Sequence, residues 1–248
     1  MSRKKGRLGA RIAAAVTLVA LGAVGYFGWS WLDGLVCSRV AVDGYRYADV
    51  DEILAVARVD MGARLLDIQP EMIADRVERH PWIERASVRR LPPGTVAIHV
   101  RERVPVALAI DAQGVPSMFL DAEGYALPAL PEAVFDVPLI RGVRIPENPT
   151  QRVETAAVRD LLAALAQLEE HLNALVSTFE VGASGDITLY TAPAAGRGAI
   201  PVKLGRAGFS EKLNRLWAFW EQAVISRPEL TFELIDLRFD GQIVTRES

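Results

Sequence analysis

The apolar positions of this chain follow three different patterns, and the first is a long run without charge. It extends from Ile12 to Leu32, 21 residues that include no acidic or basic side chain. At about 1.5 Å of rise per residue, a helix of this length spans about 31 Å, close to the roughly 30 Å hydrocarbon core of a bilayer. Tyr26, Trp29 and Trp31 stand near its far end, where aromatic rings favour the headgroup region. The run predicts one membrane-spanning helix over residues 12–32.

The residues before this run predict its orientation. Five basic side chains and no acidic one precede Ile12, and basic residues stay on the cytoplasmic side of a membrane. Residues 1–11 are therefore expected to form a cytoplasmic basic tail. The competing interpretation is a cleaved signal peptide, which has an apolar stretch of about 7–15 residues and a small-residue cleavage site. The run here is longer than that, and the bulky side chains at its end, residues 28–32, do not fit such a cleavage site. Both features favour an uncleaved anchor, with the remainder of the chain on the outer side of the membrane.

The second pattern covers residues 36–104 and predicts the order strand, helix, helix, strand, strand. In the last strand Val96, Ile98 and Val100 alternate with Ala97, His99 and Arg101, which is typical of a strand with one buried face. Pro70 is suited to the first position of a helix, because its missing N–H has no helical partner there. The predicted strands cover 39–42, 83–90 and 95–103, and the predicted helices cover 48–57 and a segment beginning at Pro70.

The third pattern, over residues 105–248, mixes short strands with two amphipathic helices. Turn tetrads at 111–114 and 121–124 predict a meander of short strands, since they bracket an apolar segment. The mixture of strands and helices over residues 36–248 predicts the α+β fold class. The remaining predicted elements are a single helix over 151–175, a hairpin around 182–185, a strand over 200–204, a helix over 210–225 with Ser210 as its N-cap, a strand over 231–239, a turn at Asp240-Gly241 and a strand over 242–246.

Composition narrows the classes of function. The chain has 248 residues, 28 of them basic and 31 acidic, and half are hydrophobic, so it is a folded protein rather than a disordered one. Its one cysteine excludes a disulfide within the chain, zinc fingers and iron–sulfur ligation. Without residues 1–32, the remainder has 23 basic and 31 acidic side chains, a net charge of −8. Such an acidic body argues against nucleic acid as a partner.

Candidate catalytic groups do not converge in the sequence. His80, His99 and His171 lack the spacing of a zinc pair on one helical face. The segment Gly182 to Gly185 predicts a hairpin turn rather than a nucleophile elbow. Asp236 stands in an apolar strand without an identifiable partner. The sequence thus predicts no catalytic residues, no cofactor, no metal and no small-molecule substrate. A membrane-anchored envelope enzyme is the alternative from a third class.

The order of elements and the residues at their joints resemble a POTRA (polypeptide-transport-associated) domain, specifically that of the FtsQ family, called DivIB in other lineages. The resemblance rests on three segments, Val40–Gly44, His80–Pro92 and Val100–Ala107. It continues toward the end of the chain in Val202–Gly205 and Ile235–Phe239, which look like the β domain of that family. The resemblance therefore implies a POTRA domain over 36–104 and an FtsQ-type β domain over 105–248.

This resemblance implies a noncatalytic scaffold of the bacterial divisome, held in the inner membrane at the division septum. Members of the family bind FtsB together with FtsL, contact other divisome proteins through the POTRA domain, and help control septal peptidoglycan synthesis. The partner site implied is the last part of the sheet. Its residues here are Phe239, Gly241, Ile243 and Val244, with Arg238 and Arg246 as charged supports. The alternative is that Phe239 and Val244 only fill the core.

A rival of a different class is a POTRA-containing envelope transport or assembly protein that ends in an outer-membrane barrel. Such a barrel needs repeated apolar and polar alternation, which the amphipathic helices near Leu162 and Trp217 interrupt. The amino-terminal helix would also hold the chain in the inner membrane. The scaffold interpretation is therefore preferred.

Overall fold

The structure is a computed structural model and describes residues 3–130, 133–193, 198–227, 230–239 and 241–247, with side chains from residue 15 onward. The chain divides into two compact units. One contains the residues up to Glu78 together with Arg85–Arg101, and the other contains Arg79–Glu84 and the residues from Glu102 onward.

The first unit begins with helix α1, Arg3–Asp33. Its stretch Ala15–Asp33 is long and apolar enough to cross a membrane. The large apolar side chains of that stretch, such as Leu18 and Phe27, are exposed rather than packed against the rest of the unit. The helix expected from the uncharged run is therefore present.

The rest of the first unit has the predicted order of elements. Strand β1 (Arg39–Asp43), helices α2 (Val50–Ala57) and α3 (Pro70–Val77), and strands β2 (Ile83–Leu91) and β3 (Thr95–Glu102) follow one another. The three strands form a sheet in the order β1-β3-β2, with β1 parallel to β3.

Local sequence explains where these two helices begin. Asp49 accepts a hydrogen bond from the N–H of Asp51 at 2.7 Å and so caps α2, while Pro70 opens α3 as expected. Ile53 and Ile73 turn one face of each helix into the core of the unit.

The second unit is built on a nine-stranded sheet. Its strands are β4 (Pro105–Ile110), β5 (Pro116–Asp121), β6 (Ala126–Pro128), β7 (Leu139–Arg141), β8 (Val176–Val181), β9 (Ile187–Thr191), β10 (Pro201–Gly205), β11 (Phe232–Asp236) and β12 (Val244–Glu247). They pair in the order β12-β11-β10-β9-β8-β7-β4-β5-β6. The predicted meander and the hairpin around 182–185 are both present, and the sheet is open, with β12 and β6 at its edges.

Three helices complete the part of the second unit that the structure describes. They are α4 (Ala156–Leu165), α5 (Glu170–Asn173) and α6 (Phe209–Phe219), and a π-helical segment, Trp220–Ile225, extends α6. Helix α4 contacts β4 and α6, and α5 contacts β8 and α6. Their buried side chains, including Leu161 and Leu216, share one core with Phe179 of the sheet.

The single helix predicted over 151–175 is wrong, because the chain forms α4 and α5 separated by a turn. The N–H groups of Gln167 and Leu168 donate to carbonyls three residues earlier, at 3.1 Å each, which tightens the chain and ends α4. Leu161 and Leu172, on either side of the break, are buried in the same core. The apolar spacing therefore continues where the helix does not.

The N-cap predicted at Ser210 is also wrong. Helix α6 already begins at Phe209, and Gly208 precedes it in the left-handed region at φ 72°. The Lys212 ammonium donates to the carbonyls of Leu204 and Ala207 at 2.6 and 2.7 Å, which ties the helix start to the end of β10. Ser210 is thus the second residue of the helix rather than its cap.

One glycine in the second unit is required for steric reasons. Gly142 has φ 78°, and a Cβ atom there would lie 2.3 Å from the Val181 carbonyl oxygen. Gly114 has a similar φ of 82° with nothing within 4 Å, so it provides a matched control.

We expect Gly142→Ala to destabilise the second unit by about 2–4 kcal/mol, because it adds a steric clash to the left-handed backbone penalty. Gly114→Ala should cost only about 1 kcal/mol, the backbone penalty alone. The urea midpoint of the full chain in detergent, followed by circular dichroism, measures both. Equal losses at the two positions would show that the Val181 carbonyl moves aside.

Candidate functional site at the end of the large sheet

The candidate site is the last strand of the nine-stranded sheet with the loop before it, residues 237–247, called the terminal edge below. Strand β12 pairs antiparallel with β11, placing Asp236 opposite Val244 and Ile235 opposite Thr245. Among the described strands β12 has a neighbour on one side only. An edge strand of this kind presents backbone N–H and C=O groups to which another chain can add a strand.

Strand β11 anchors the terminal edge in the core. Ile235 and Leu237 are fully buried, and β11 runs parallel to β10 with Ile235 opposite Val202. The N–H of Leu237 donates to the Lys203 carbonyl at 2.9 Å, so the ladder with β10 continues past the last residue of the strand. The loop that follows therefore starts from a fixed point.

The strand predicted over 231–239 is shorter than expected, and Asp236 explains where it ends. The Asp236 carboxylate accepts the N–H of Arg238 at 3.0 Å, two residues further on. Such a local bond bends the chain and competes with strand pairing. The residues after Asp236 consequently leave the ladder with β12.

The tight hairpin predicted at Asp240-Gly241 is wrong as a connection between strands, because seven residues, 237–243, separate β11 from β12. A turn does lie at the predicted place within this loop. The N–H of Gln242 donates to the Phe239 carbonyl at 3.4 Å, and Gly241 has φ 68°. Asp240 itself lies outside the described residues. The last strand is Val244–Glu247 rather than 242–246.

An ion pair holds the first part of the loop. The Arg238 guanidinium donates to Asp236 through Nε at 2.9 and 3.1 Å and through Nη2 at 2.6 Å. These bonds hold the pKa of the Asp236 carboxyl below its ordinary value. Asp236 is buried, so it has the partner that the sequence did not reveal. Arg238, predicted as a charged support for a partner, is already engaged within its own chain.

Helix α6 holds the second part of the loop. The Arg215 guanidinium donates through Nη2 to the carbonyls of Leu237 and Phe239, at 3.2 and 3.4 Å. Two loop carbonyls that lie outside the strand ladder thereby gain a charged donor. Arg215 is a site residue that sequence reasoning missed, and no local signal links a helical arginine to a loop 22 residues later.

The structure places the predicted apolar site residues in two environments. Phe239 and Val244 are 50% and 47% exposed, which excludes the alternative that they fill the core. Ile243 is half-buried and packs against the core of the second unit. Gly241 is exposed in the turn, and Arg246 is exposed on β12 opposite Leu234. Two apolar side chains and one arginine are thus available on the terminal edge.

The opposite edge of the sheet is less suited to strand addition. Strand β6 has three residues, two of which, Ala126 and Leu127, are buried. Its third residue, Pro128, has no N–H to donate. The terminal edge is therefore the better candidate for pairing with another chain.

The three histidines lie in three different environments. His80 is buried and accepts the N–H of Trp82 through Nδ1 at 3.3 Å, while His99 is exposed and paired with Asp43. His171 lies 4.5 Å from the Trp217 ring, centroid to centroid. Among the described residues, no group of histidine, cysteine and acidic side chains is arranged to hold a metal ion.

The fold defines a class: an α+β protein in which an apolar helix long enough to cross a membrane is followed by a small β-α-α-β-β module and an open nine-stranded sheet. Two family models match this arrangement. The POTRA domain of FtsQ type matches residues 37–103, and the model described as FtsQ/DivIB, C-terminal related, matches residues 104–246.

Curated relatives agree with these matches. A cell division protein FtsQ of Rhodothermus marinus is 51% identical over 219 residues, covering 88% of this chain and 80% of the relative. The FtsQ of Salinibacter ruber is 41% identical over 247 residues, covering 97% and 94%. That of Geotalea daltonii is 27% identical over 246 residues, covering 95% and 86%. The chain belongs to the FtsQ/DivIB family of cell division proteins. Among the described residues, one helix is long and apolar enough to cross a membrane. Together with this helix, the family membership indicates a single-pass membrane protein with a role in the divisome.

The Asp236–Arg238 pair should make stability depend on pH. Because its folded pKa is lowered, the Asp236 carboxylate stabilises the fold above its ordinary value of 3.8 and loses this contribution as pH falls through the folded value. We expect Arg238→Gln to lower the urea midpoint at pH 7 and to have little effect at strongly acidic pH.

The matched control for this variant is Arg246→Gln, at an exposed position on β12. It should leave the urea midpoint unchanged at both pH values. A loss in Arg238→Gln that persists unchanged in strong acid would contradict a role through the Asp236 carboxylate.

Proposed function

We propose that this protein is a noncatalytic scaffold of the divisome that captures FtsB, together with FtsL, at its terminal edge. The observation that carries the proposal is the position of β12 at the end of the sheet, together with two exposed apolar side chains, Val244 on the strand and Phe239 in the loop before it. An added strand gains backbone hydrogen bonds from the edge, and side-chain contacts determine which strand is accepted.

The energetics require both kinds of contact. Each backbone hydrogen bond contributes only about 1 kcal/mol net, because water competes for the same groups. Burying a large apolar side chain contributes roughly 1.5–3 kcal/mol. Phe239 and Val244 are therefore the residues expected to supply most of the affinity, while Arg246 lies on the same strand as a charged support.

The remaining parts of the proposal follow from the family. Residues 1–11 face the cytoplasm, and the two units face the periplasm at the division septum. The first unit, proposed as the POTRA domain over 36–104, contacts other divisome proteins, and the β domain over 105–248 holds FtsB and FtsL. By presenting this pair, the protein helps control when septal peptidoglycan synthesis begins. Because both family matches are of the FtsQ type, we do not propose the transport alternative.

Two substitutions test the terminal edge. Phe239→Asp and Val244→Asp place a charge where an apolar contact is expected, so each should weaken capture of purified FtsB at least tenfold, about 1.4 kcal/mol. Binding is measured with the full chain in detergent. FtsL should be lost in parallel, since it arrives with FtsB. Ile243→Asp is a less clean variant, because Ile243 also packs against the core.

The control is Val115→Asp, since Val115 is 56% exposed elsewhere in the second unit. It should bind FtsB as the unmodified chain does. Circular dichroism and the urea midpoint establish that all three variants are folded. Normal capture by both folded edge variants would eliminate the terminal edge as the docking surface.

A cellular readout follows from the same variants. When the native protein is depleted in its host, cells should filament without septa, and the unmodified chain should restore division. The Phe239→Asp variant should reach the membrane but fail to restore septation. Normal growth after depletion would contradict the proposed role in division.

A further inference from the structure

A second surface lies at the end of the first unit that adjoins the membrane helix. Helix α1 ends at Asp33, and only Gly34 separates it from Leu35. The N–H of Leu65 donates to the Leu35 carbonyl at 2.8 Å, so the connection between α2 and α3 is bonded to the first residues after the helix. A salt bridge of 3.5 Å from Arg64 to Asp33 reinforces this contact.

The bonding extends along this connection. The N–H of Cys37 donates to the Ala63 carbonyl at 2.8 Å, and the N–H of Gly62 donates back to the Cys37 carbonyl at the same distance. These paired bonds hold Met61, the residue before Gly62, close to the end of α1. The position of Met61 relative to α1 is therefore determined by backbone bonds rather than by a free linker.

The turn between β2 and β3 lies at the same end. The N–H of Ser38 donates to the Gly94 carbonyl at 2.8 Å, and the Arg90 guanidinium donates to the Leu66 carbonyl at 2.8 Å. We call the surface formed by residues 36–39, 58–67 and 89–95 the membrane-proximal end.

Four large apolar side chains are exposed on the membrane-proximal end. Met61 is 60% exposed, Val36 and Leu91 are each 45% exposed, and Leu66 is 38% exposed. The charged side chains around them are of both signs, since five arginines and three aspartates, Asp33 included, give a net charge of +2. These are Asp33, Arg39, Arg58, Asp60, Arg64, Asp67, Arg89 and Arg90. The surface is therefore suited to an apolar contact more than to an electrostatic one.

We propose that the membrane-proximal end rests in the interfacial layer of the bilayer, with Met61 and Leu66 at the boundary between headgroups and acyl chains. Leu35 can lie at most about 7 Å beyond Asp33, because a residue spans no more than about 3.5 Å. The interfacial layer is of similar thickness, and apolar side chains penetrate it by about 5–10 Å. Lipid is the occupant because α1 brings it to this end whether or not a protein partner is bound.

This contact is independent of strand capture at the terminal edge. It would fix the height of the first unit above the bilayer and limit its tilt about the end of α1. A short flexible linker would leave both free.

The test measures whether lipid reaches Met61 in the full chain. Met61→Cys is labelled with a fluorophore in a Cys37→Ala background. One copy of the chain is then placed in each phosphatidylcholine nanodisc, which also contains a lipid with a nitroxide quencher on its acyl chain. The matched control is Tyr45→Cys, because Tyr45 is 44% exposed and follows the far end of β1. Five residues of a strand span about 16 Å, so the two labels differ in depth.

We expect several-fold stronger quenching at position 61 than at position 45, with emission shifted to shorter wavelength. Equal quenching at the two positions would overturn the proposal. So would quenching that requires an anionic lipid, because phosphatidylcholine alone offers only the apolar contact.

A second variant distinguishes insertion from simple proximity. Leu66→Asp should reduce the quenching at position 61 at least twofold, since a charge in the interfacial layer opposes insertion. Its urea midpoint should match that of the unmodified chain, because Leu66 is exposed. Unchanged quenching in this folded variant would show that Met61 does not insert.

Discussion

An open sheet ends in a strand whose backbone groups are paired on one side only, and the second unit is arranged around that constraint. One edge strand of the sheet is β6, which is short, largely buried and contains a proline. The other edge strand is β12, whose residues are mostly exposed. Among the described strands, β12 is therefore the edge whose backbone groups are better suited to the addition of another strand.

Rigid support for this edge comes from outside β12. The core residues of β11 hold the strand beside it, Arg238 neutralises the buried Asp236 carboxylate, and Arg215 reaches from α6 to two loop carbonyls. A fixed edge has less conformational freedom to lose when a partner binds, which favours affinity. The exposed apolar side chains beside it can then contribute their burial to binding rather than to folding.

The membrane end of the molecule follows a different physical rule. There the backbone bonds between 35–37 and 62–65 replace a flexible linker, so the first unit is tied to the end of the membrane helix. Exposed apolar side chains on a protein surface in water favour contact with another protein. Next to a membrane helix, such side chains can instead contact the apolar part of the lipid. The two surfaces use opposite ends of the chain and do not depend on one another.

The sequence by itself determined the features that depend on local pattern: the apolar helix, the β-α-α-β-β order, the alternation of Val96, Ile98 and Val100, and the family. Tertiary structure decided the rest. The break between α4 and α5 was hidden because both helices bury side chains in one core. The wide loop before β12 arises because the Asp236 carboxylate accepts the Arg238 N–H, so the residues after Asp236 leave the ladder with β12. This bond depends on the burial of Asp236 and on its register with β10. Arg215 joined the site only because folding brings α6 beside that loop, a contact between residues far apart in the chain that no local pattern encodes.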